Sequence, residues 1–575
     1  MRKKLFQYMV PTMITYAALS LNEFADSMVV SNLLGSDAMA IVSLGMPVML
    51  IMAATYNLLG SGGSTLYAIS LGRRDHETAG KALTAASVAG LAAGLVLMAA
   101  GYLFFDQIAG LLCRDKMLMA DFRVYLRILL LSSPLLIPIL TFVTFLPAAG
   151  YPSQSTLISV IANVVNIAMD YVYIRIFGMG VEGAAWATLT GYVLGALIVA
   201  SLILRHRISM NISRQIAASF ALLRDICAKG APDAITQVGF ALQFAVINIL
   251  AESCAGTDGV VAFALCIQVN SFVSIFIGAL IGSVVPILSV LHGQKDYSGE
   301  SGILRTAMTM QFIMALVIFL LLELLADPIA SLYNITEPAQ HVLAVRALRI
   351  YSVTILIRSG VIVYFRYLMI IGYSRYASVI SALDGFAAII PAAWIMCRLF
   401  GIDGLWWTFP LVAALLTFMI LAVNRRIELR SGGRLRGPLL YEVDEDSKPV
   451  IDVTITDDPS SIGGLSKELQ EACEESGFTK RDAMRAALAV EEMAVYASNK
   501  KSQNAYMDII VRLHKDNVII DFRSLGEYFD PIRDAEEDMP ENVKLLRGIA
   551  SDINNDYMLG MNSTRITITA ADSQA

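Results

Sequence analysis

Asp26 sits within a stretch of apolar residues, with Asn22 four positions before it and Glu23 three before it. Asp170 has similar surroundings, with Asn166 four positions before it and Thr188 in the next apolar stretch. Side chains four apart share one face of a helix, so each pair offers a carboxylate and an amide to the same neighbour. A carboxylate deep in a membrane is costly; it turns toward a cavity or a partner and is functional by default. Two or three acids, two amides and a hydroxyl meeting at one point form a set of hard oxygen ligands that suits Na+. Two carboxyl groups close together in low dielectric equally suit the uptake and release of a proton. The alternative is that these acids only brace helices through hydrogen bonds.

Three other charges lie in apolar surroundings. Arg358 and Arg366, eight residues apart, fall roughly on one side of a helix. They either line a cavity opposite the acids, favouring an anionic substrate, or snorkel and pair with acids. Asp384 either braces helices or lines the same cavity. The 26 methionines offer an adaptable lining or simply fill core and lipid-facing positions.

The elements that carry these residues follow from composition. The chain has 575 residues, is 56% hydrophobic and only 16% charged, with a mean hydropathy of +0.62. Soluble domains carry about 25% charged residues, so most of this chain belongs in lipid. Windows long enough to span, about 20 residues each, lie near 6–33, 40–71, 82–105, 124–149, 153–177 and 182–204. A second set lies near 232–254, 261–291, 304–325, 344–372, 376–399 and 404–424. The reading is twelve transmembrane helices in two six-helix lobes, residues 1–210 and 211–425, followed by a basic-to-acidic linker at 426–447 and a soluble domain at 448–571. No cleavable signal peptide is expected. Six cysteines stand singly without a CxxC pair, which argues against a disulfide framework or a zinc site. The formal charge of -6 points to no nucleic-acid partner.

Basic residues set the orientation. Arg2-Lys3-Lys4, Arg73-Arg74, Arg205 with Arg207, Lys295 and the run from Arg425 to Arg436 fall on one side in a twelve-helix count. The positive-inside rule makes that side cytoplasmic, with both termini inside.

The two sets of windows repeat at a constant offset of 221 residues. Pro11 reappears as Pro232, Gly35 and Asp37 as Gly256 and Asp258, Gly72 and Asp75 as Gly293 and Asp296, and Gly183 with Trp186 as Gly404 with Trp407. The acids are not copied. Asp26 falls opposite Ile247 and Asp170 opposite Pro391, while Asp384 stands opposite Asn163. Parallel repeats place the substrate between the halves, near the midplane. Acids present in one copy alone point to coupling chemistry in the first lobe.

Ala25-Asp26-Ser27-Met28-Val29-Val30, then Leu33-Leu34-Gly35 and Ala38 to Ser43 with Pro47, resembles the opening of multidrug and toxic-compound extrusion (MATE) transporters. Asn166 to Asp170 looks like that family's fifth helix, and Gly178 to Thr188 like the entry to its sixth. The resemblance covers residues 1 to about 425. It implies a V-shaped, two-lobed antiporter that exports small organic molecules by alternating access, driven by H+ or Na+, in a prokaryotic cell membrane. The family's cation or proton site carries onto Asp26, Asn166, Asp170 and Thr188. Glu23 departs from the family, which often has Asn at that place. The additional acid either carries a second proton or binds a cationic substrate. No cofactor is implied beyond the coupling ion.

From Val450 the pattern changes to strand-like alternation. A strand at 450–456, helices at 459–475 and 480–499, an antiparallel pair at 506–514 and 518–524, a helix near 541–553 and a last strand near 563–569 form an α+β sandwich with helices on one face. The order resembles the histidine-kinase-like (GHKL) ATPases of the anti-sigma-factor type. Ala487 to Glu492 looks like the start of the N box, Gly526 with Phe529-Asp530-Pro531 like the first glycine box, and Leu559 to Asn562 like the close of the domain. The contacting letters depart from that family. Counted from Glu492, the Mg2+ place holds Tyr496; the adenine place, two before Gly526, holds Ser524. The resemblance therefore implies a vestigial nucleotide site, no enzyme, and a regulatory module for a cytoplasmic protein partner. Two other functions stay open: a flippase for lipid-linked saccharides, and a receptor that signals through the tail.

Overall fold

The structure is a computed structural model describing residues 2–113, 116–205, 210, 212–333, 335, 337–442, 450–455, 459–499, 507–514, 516–525, 530–531 and 541–570. The membrane part is helical throughout: α1 Arg2–Leu34, α2 Ser36–Gly72, α3 His76–Leu103, α4 Phe105–Leu112, α5 Met119–Ala148, α6 Pro152–Tyr171, α7 Gly180–Leu204, α8 Ile216–Phe220, α9 Leu223–Gly293, α10 Tyr297–Leu332, α11 Pro338–Ile370, α12 Ser374–Ala382 and α13 Ile389–Arg430. Among the described residues nine helical segments are long and apolar enough to cross a membrane. Two of them are bent rods. α9 leaves helical geometry at Ala255 and Gly256 (φ 58°), and α13 does so at Gly401 (φ 62°). Each bend falls between two of the apolar windows and divides its helix into two arms.

The copied residues of the repeat make equivalent joints. Asp75 caps α3 by accepting from Thr78 N at 2.9 Å, and Asp296 caps α10 by accepting from Gly299 N at 3.0 Å. These side chains satisfy backbone donors that a helix N-terminus leaves open. The residues just before them, Arg74 and Lys295, share a left-handed φ of 62° and 57°. Gly72 and Gly293 then meet backbone to backbone: a Cβ on either would lie 2.9 Å from the other's Cα. Only glycine at both positions lets α2 and α9 touch there.

Three apolar clusters give the overall shape. Residues of α1–α7 such as Ile41, Phe122 and Leu126 form a core of their own. Residues of α9–α13 such as Phe263, Leu348 and Trp406 form a second. A third joins the two halves at the end where Gly72 meets Gly293, running from Leu5 and Tyr8 through Ala68 to Leu288 and Tyr367. The two lobes thus share one core at the end where Gly72 meets Gly293 and have cores of their own beyond it. Next to the bends of α9 and α13, Cys254 and Cys397 form a disulfide, 143 residues apart in sequence. The cysteine spacing pointed away from disulfides; long-range proximity of two helix ends leaves no local signature.

After α13 the chain folds back as a small hairpin, β1 Leu435–Arg436 with β2 Tyr441–Glu442. Asn424 Nδ2 donates to Pro438 O at 2.6 Å, and the Tyr367 hydroxyl to Leu440 O at 3.2 Å. The C-terminal domain contains β3 Ile451–Ile455, α14 Pro459–Glu475, α15 Lys480–Asn499, β4 Met507–Leu513, β5 Asn517–Leu525, α16 Glu541–Ile549, β6 Asp552–Met558 and β7 Met561–Thr569. Its sheet is antiparallel in the order β3-β4-β5-β7-β6. The strand β6 corrects the sequence reading, which extended the preceding helix to residue 553. Asp552 to Tyr557 is polar and half-exposed at the sheet edge, so it lacks the apolar alternation that marks a strand. Side chains alternate along each strand: Ile509, Val511, Ile520, Phe522 and Ile566 face the helices, while Arg512, Asp521, Arg523 and Arg565 face away.

Candidate functional site

The parallel helices α1 and α6 are fixed in register by Thr15 Oγ1 and Thr156 Oγ1 at 2.8 Å, and by Thr156 Oγ1 donating to Pro11 O at 2.8 Å. The same offset sets Asn22 level with Asn163 and brings Asp26 alongside the stretch from Asn166 to Asp170. The two carboxyl groups come within hydrogen-bonding range of one another. Both oxygens of Asp170 and Oδ1 of Asp26 are buried and receive no hydrogen bond from a donor among the described residues. Two carboxylates have no hydrogen to share, so such a contact is satisfied only by a proton or a cation.

Asn166 and Thr188 join the pair. Asn166 Nδ2 lies 3.4 Å from Thr188 Oγ1, whose own proton goes to Ala184 O at 3.1 Å. Gly191, one turn beyond Thr188, lets α6 and α7 close: a Cβ there would stand 2.9 Å from Ala162 O. Directly after Asp170 the helix widens into a π-helical turn, Val172–Ile176. Such turns occur mostly as single insertions and frequently at functional sites. Among the described residues, Oδ1 of Asn22 is also buried without a donor, and Nδ2 of Asn163 is buried without an acceptor. The side chain of Glu23 lies outside the described residues.

Tyr125 and Tyr192 complete the surroundings. Tyr125 interacts electrostatically with both carboxyl groups, and Tyr192 with Asp26. Neither residue was apparent in the sequence, because a tyrosine in an apolar helix has the pattern of ordinary core.

The residues singled out in the second lobe are arranged differently. Arg358 Nε donates to both oxygens of Asp384 at 2.9 Å, and its Nη2 reaches Oδ2 at 2.6 Å. Asp384 too lies at a π-helical turn, Leu383–Ala387. Arg366 pairs with Asp233 at 2.8 Å, and the other oxygen of Asp233 accepts from Ser61 of the first lobe. Tyr16 interacts with the same ion pair. The choice left open for these arginines falls on the salt-bridge side. Asp233 was missed as a polar partner because it begins the copied segment and stands opposite Thr12.

In the C-terminal domain, Tyr496 and Ser524 are buried, and the carboxylate of Glu492 accepts from Asn542 Nδ2. Ser524 Oγ has no partner among the described residues. Gly526 lies outside them.

The MatE family profile matches residues 11–172 and 232–394, the two halves of the repeat. Among curated relatives, the multidrug export protein MepA of Staphylococcus aureus strain MRSA252 is 24% identical over 382 residues, covering 66% of this chain and 84% of the relative. The same protein from Staphylococcus haemolyticus is 24% identical over 391 residues, covering 68% and 85%. An outward-facing multidrug resistance MATE transporter of the MOP superfamily superposes with a TM-score of 0.70 at 22% identity, covering 75% of this chain and 96% of that one.

Proposed function

The chain belongs to the MatE family, whose profile spans more than half of its length, and from that premise we propose that it is an H+- or Na+-coupled antiporter exporting small organic molecules by alternating access. It is a multi-pass membrane transporter of the multidrug-efflux kind. The observation that carries the coupling reading is the Asp26–Asp170 contact: both oxygens of the buried Asp170 and Oδ1 of the half-buried Asp26 have no hydrogen-bond partner among the described residues. A proton or Na+ would satisfy them, with Asn166 and Thr188 as further oxygen ligands; Asn22 and Glu23 stand about one turn before Asp26 on α1. A site that must be refilled in each cycle is what coupling requires.

Twelve crossings follow if the arms of the bent rods are counted separately and α1 is included. That count puts both termini on the cytoplasmic side. The disulfide at the opposite end agrees, since disulfides persist in oxidising compartments outside the cytosol. The arginines expected of a flippase cavity are neutralised by Asp384 and Asp233, which weighs against that alternative.

We read the C-terminal domain as a GHKL-like fold that has given up nucleotide chemistry and serves regulation. In support, Tyr496 is packed into the core where a Mg2+ ligand would be needed, and Glu492 is engaged by Asn542. Nucleotide binding by the full chain, measured by calorimetry with ATP and Mg2+, is expected to be undetectable.

The coupling reading is tested by ethidium efflux from proteoliposomes under separate proton and sodium gradients. One gradient should drive efflux in the wild type and neither in Asp170→Asn. Gradient-driven efflux that survives this substitution unchanged would remove Asp170 from the mechanism.

A further inference from the structure

The helix-free face of the C-terminal sheet is charged, yet it is buried. Arg523 Nη2 lies 2.7 Å from Asp296 and donates to Gln294 Oε1 at 2.7 Å, and Arg512 approaches Asp296 at 3.4 Å. All these contacts land on the α9–α10 joint of the second lobe. The α2–α3 joint of the first lobe is held by the same sheet. Arg74 donates to Asn554 O at 2.6 Å and Ser563 O at 3.3 Å, and His76 Nε2 lies 2.7 Å from the Asp556 carboxylate. Gly72 and Gly293, which bring the lobes into backbone contact, are the residues just before these two joints.

Between the two grips stands the β6–β7 turn. Leu559 takes a left-handed φ of 55° and is fully buried. Gly560 packs on Gly150 of the α5–α6 turn: a Cβ on Gly150 would lie 2.8 Å from Gly560 N. Met558, Leu559 and Met561 belong to the same apolar core as Leu5, Tyr8, Leu288 and Tyr367, where the lobes merge. One domain thus touches equivalent joints of both lobes and inserts a hairpin into their common core.

We propose that the C-terminal domain is a brake on the transport cycle: docked, it holds the two lobes together at their cytoplasmic ends, and they part there only when it releases the α2–α3 joint, whose His76 is 42% exposed while the Asp296–Arg523 grip is buried. The proposal rests on the alternating-access reading above. A domain biases a conformational equilibrium only through contacts that differ between the two states. Here the difference is geometric. Asp296 and Arg74 can engage one sheet simultaneously only while their joints lie side by side. Parting the lobes must break the first-lobe grip at Arg74 and His76 and withdraw Leu559 from the core.

The test uses the full chain in proteoliposomes. Cysteines at His76→Cys and Asp556→Cys are bridged by a short bis-methanethiosulfonate reagent that reductant cleaves; a linker is needed because side chains meeting at their tips set the Cβ atoms too far apart for a direct disulfide. Wild type receives the same reagent and reductant. The bridged protein should export ethidium at least about tenfold more slowly than the reduced protein, a change in population worth ~1.4 kcal/mol or more. Leu559→Gly, which suits the left-handed backbone and removes the wedge, should raise turnover severalfold. Failure of the bridge to form, equal rates before and after cleavage, or an unchanged rate in Leu559→Gly would each overturn the brake. If wild type and reduced variant alike export nothing down either gradient, the transporter reading falls, and the brake with it.

Discussion

In the first lobe Asp26 and Asp170 face each other with no cation against them among the described residues; in the second, Asp384 and Asp233 each hold an arginine. The membrane dictates both arrangements, because a buried carboxylate must be satisfied by something. An arginine does so permanently, at the cost of desolvating both charges. A second carboxyl group does so only while a proton or metal ion is present. The second lobe therefore carries its acids as fixed ties, one of them reaching across to Ser61 of the first lobe. In the proposed coupling mechanism the first lobe carries its acids as a site that fills and empties. At the place opposite Asp26 the second copy has Ile247, which is fully buried core.

The largest expected effects come from removing the exchangeable charge. Asp170→Asn and Asp26→Asn should each abolish uphill export, so that ethidium reaches equal concentrations across the vesicle, while thermal stability holds or rises because a buried charge has been relieved. Stability measured in detergent and uphill accumulation measured in vesicles should thus move independently. If both fell together, the first-lobe acids would be ties like those of the second.

Asp384→Asn should behave in the reverse manner. It leaves Arg358 buried without its counter-charge, a loss of about 3–5 kcal/mol for a fully buried pair and toward the low end here, because the arginine side chain is 28% exposed. Replacing both partners, Arg358→Met with Asp384→Leu, should restore most of the stability and leave coupling intact. Coupling lost in the stable double variant would make the second lobe part of the ion pathway.

Ser61→Ala probes the tie between the lobes. It removes one hydrogen bond to a charged acceptor, worth about 1.5–3 kcal/mol at most, and should raise turnover less than Leu559→Gly does if the hairpin is the main restraint. A larger gain from Ser61→Ala would put the restraint in the membrane part.

How much of this was legible in the sequence depended on whether a feature was local. The repeat was legible because glycine and aspartate are demanded at its joints: Gly72 and Gly293 by backbone contact, Asp75 and Asp296 by capping. Asp26, Asn166, Asp170 and Thr188 were legible as polar residues on apolar helices, and α1, α6 and α7 bring them to one place. The pairings of Arg358 and Arg366 were not, since an ion pair between distant helices depends on tertiary packing. The cysteine pair shares that difficulty. β6 was hidden for a different reason: its polar residues are selected by the joint they grip, not by a sheet interior.

The copied caps themselves differ in their surroundings, and pH should affect them least. Asp75 is exposed, and its hydrogen bonds to Thr78, side chain and backbone, hold its carboxyl below the usual range. Burial would push Asp296 up, but Arg523 and Arg512 outweigh it and hold that carboxyl below the usual range as well. For Asp296 the depression comes largely from the docked domain, so docking sheds protons and is favoured above the ordinary aspartate value of about 3.9. That contribution is lost as pH falls through the lowered value in the docked state. Asp452, pushed up by burial and by the charge of Asp296, works in the opposite sense: its contribution is lost as pH rises through its raised value. His76 is held above the ordinary histidine value of about 6.5 by its hydrogen bond to Asp556 of the docked domain, so docking, followed by fluorescence transfer between a donor on the α2–α3 joint and an acceptor on α15, should weaken as pH rises through that raised value and weaken again below about 4. Acid should leave only the local α3 cap loosened at Asp75. A domain that undocked steeply near pH 7 would place the pH response at His76 rather than in the Asp296 clamp.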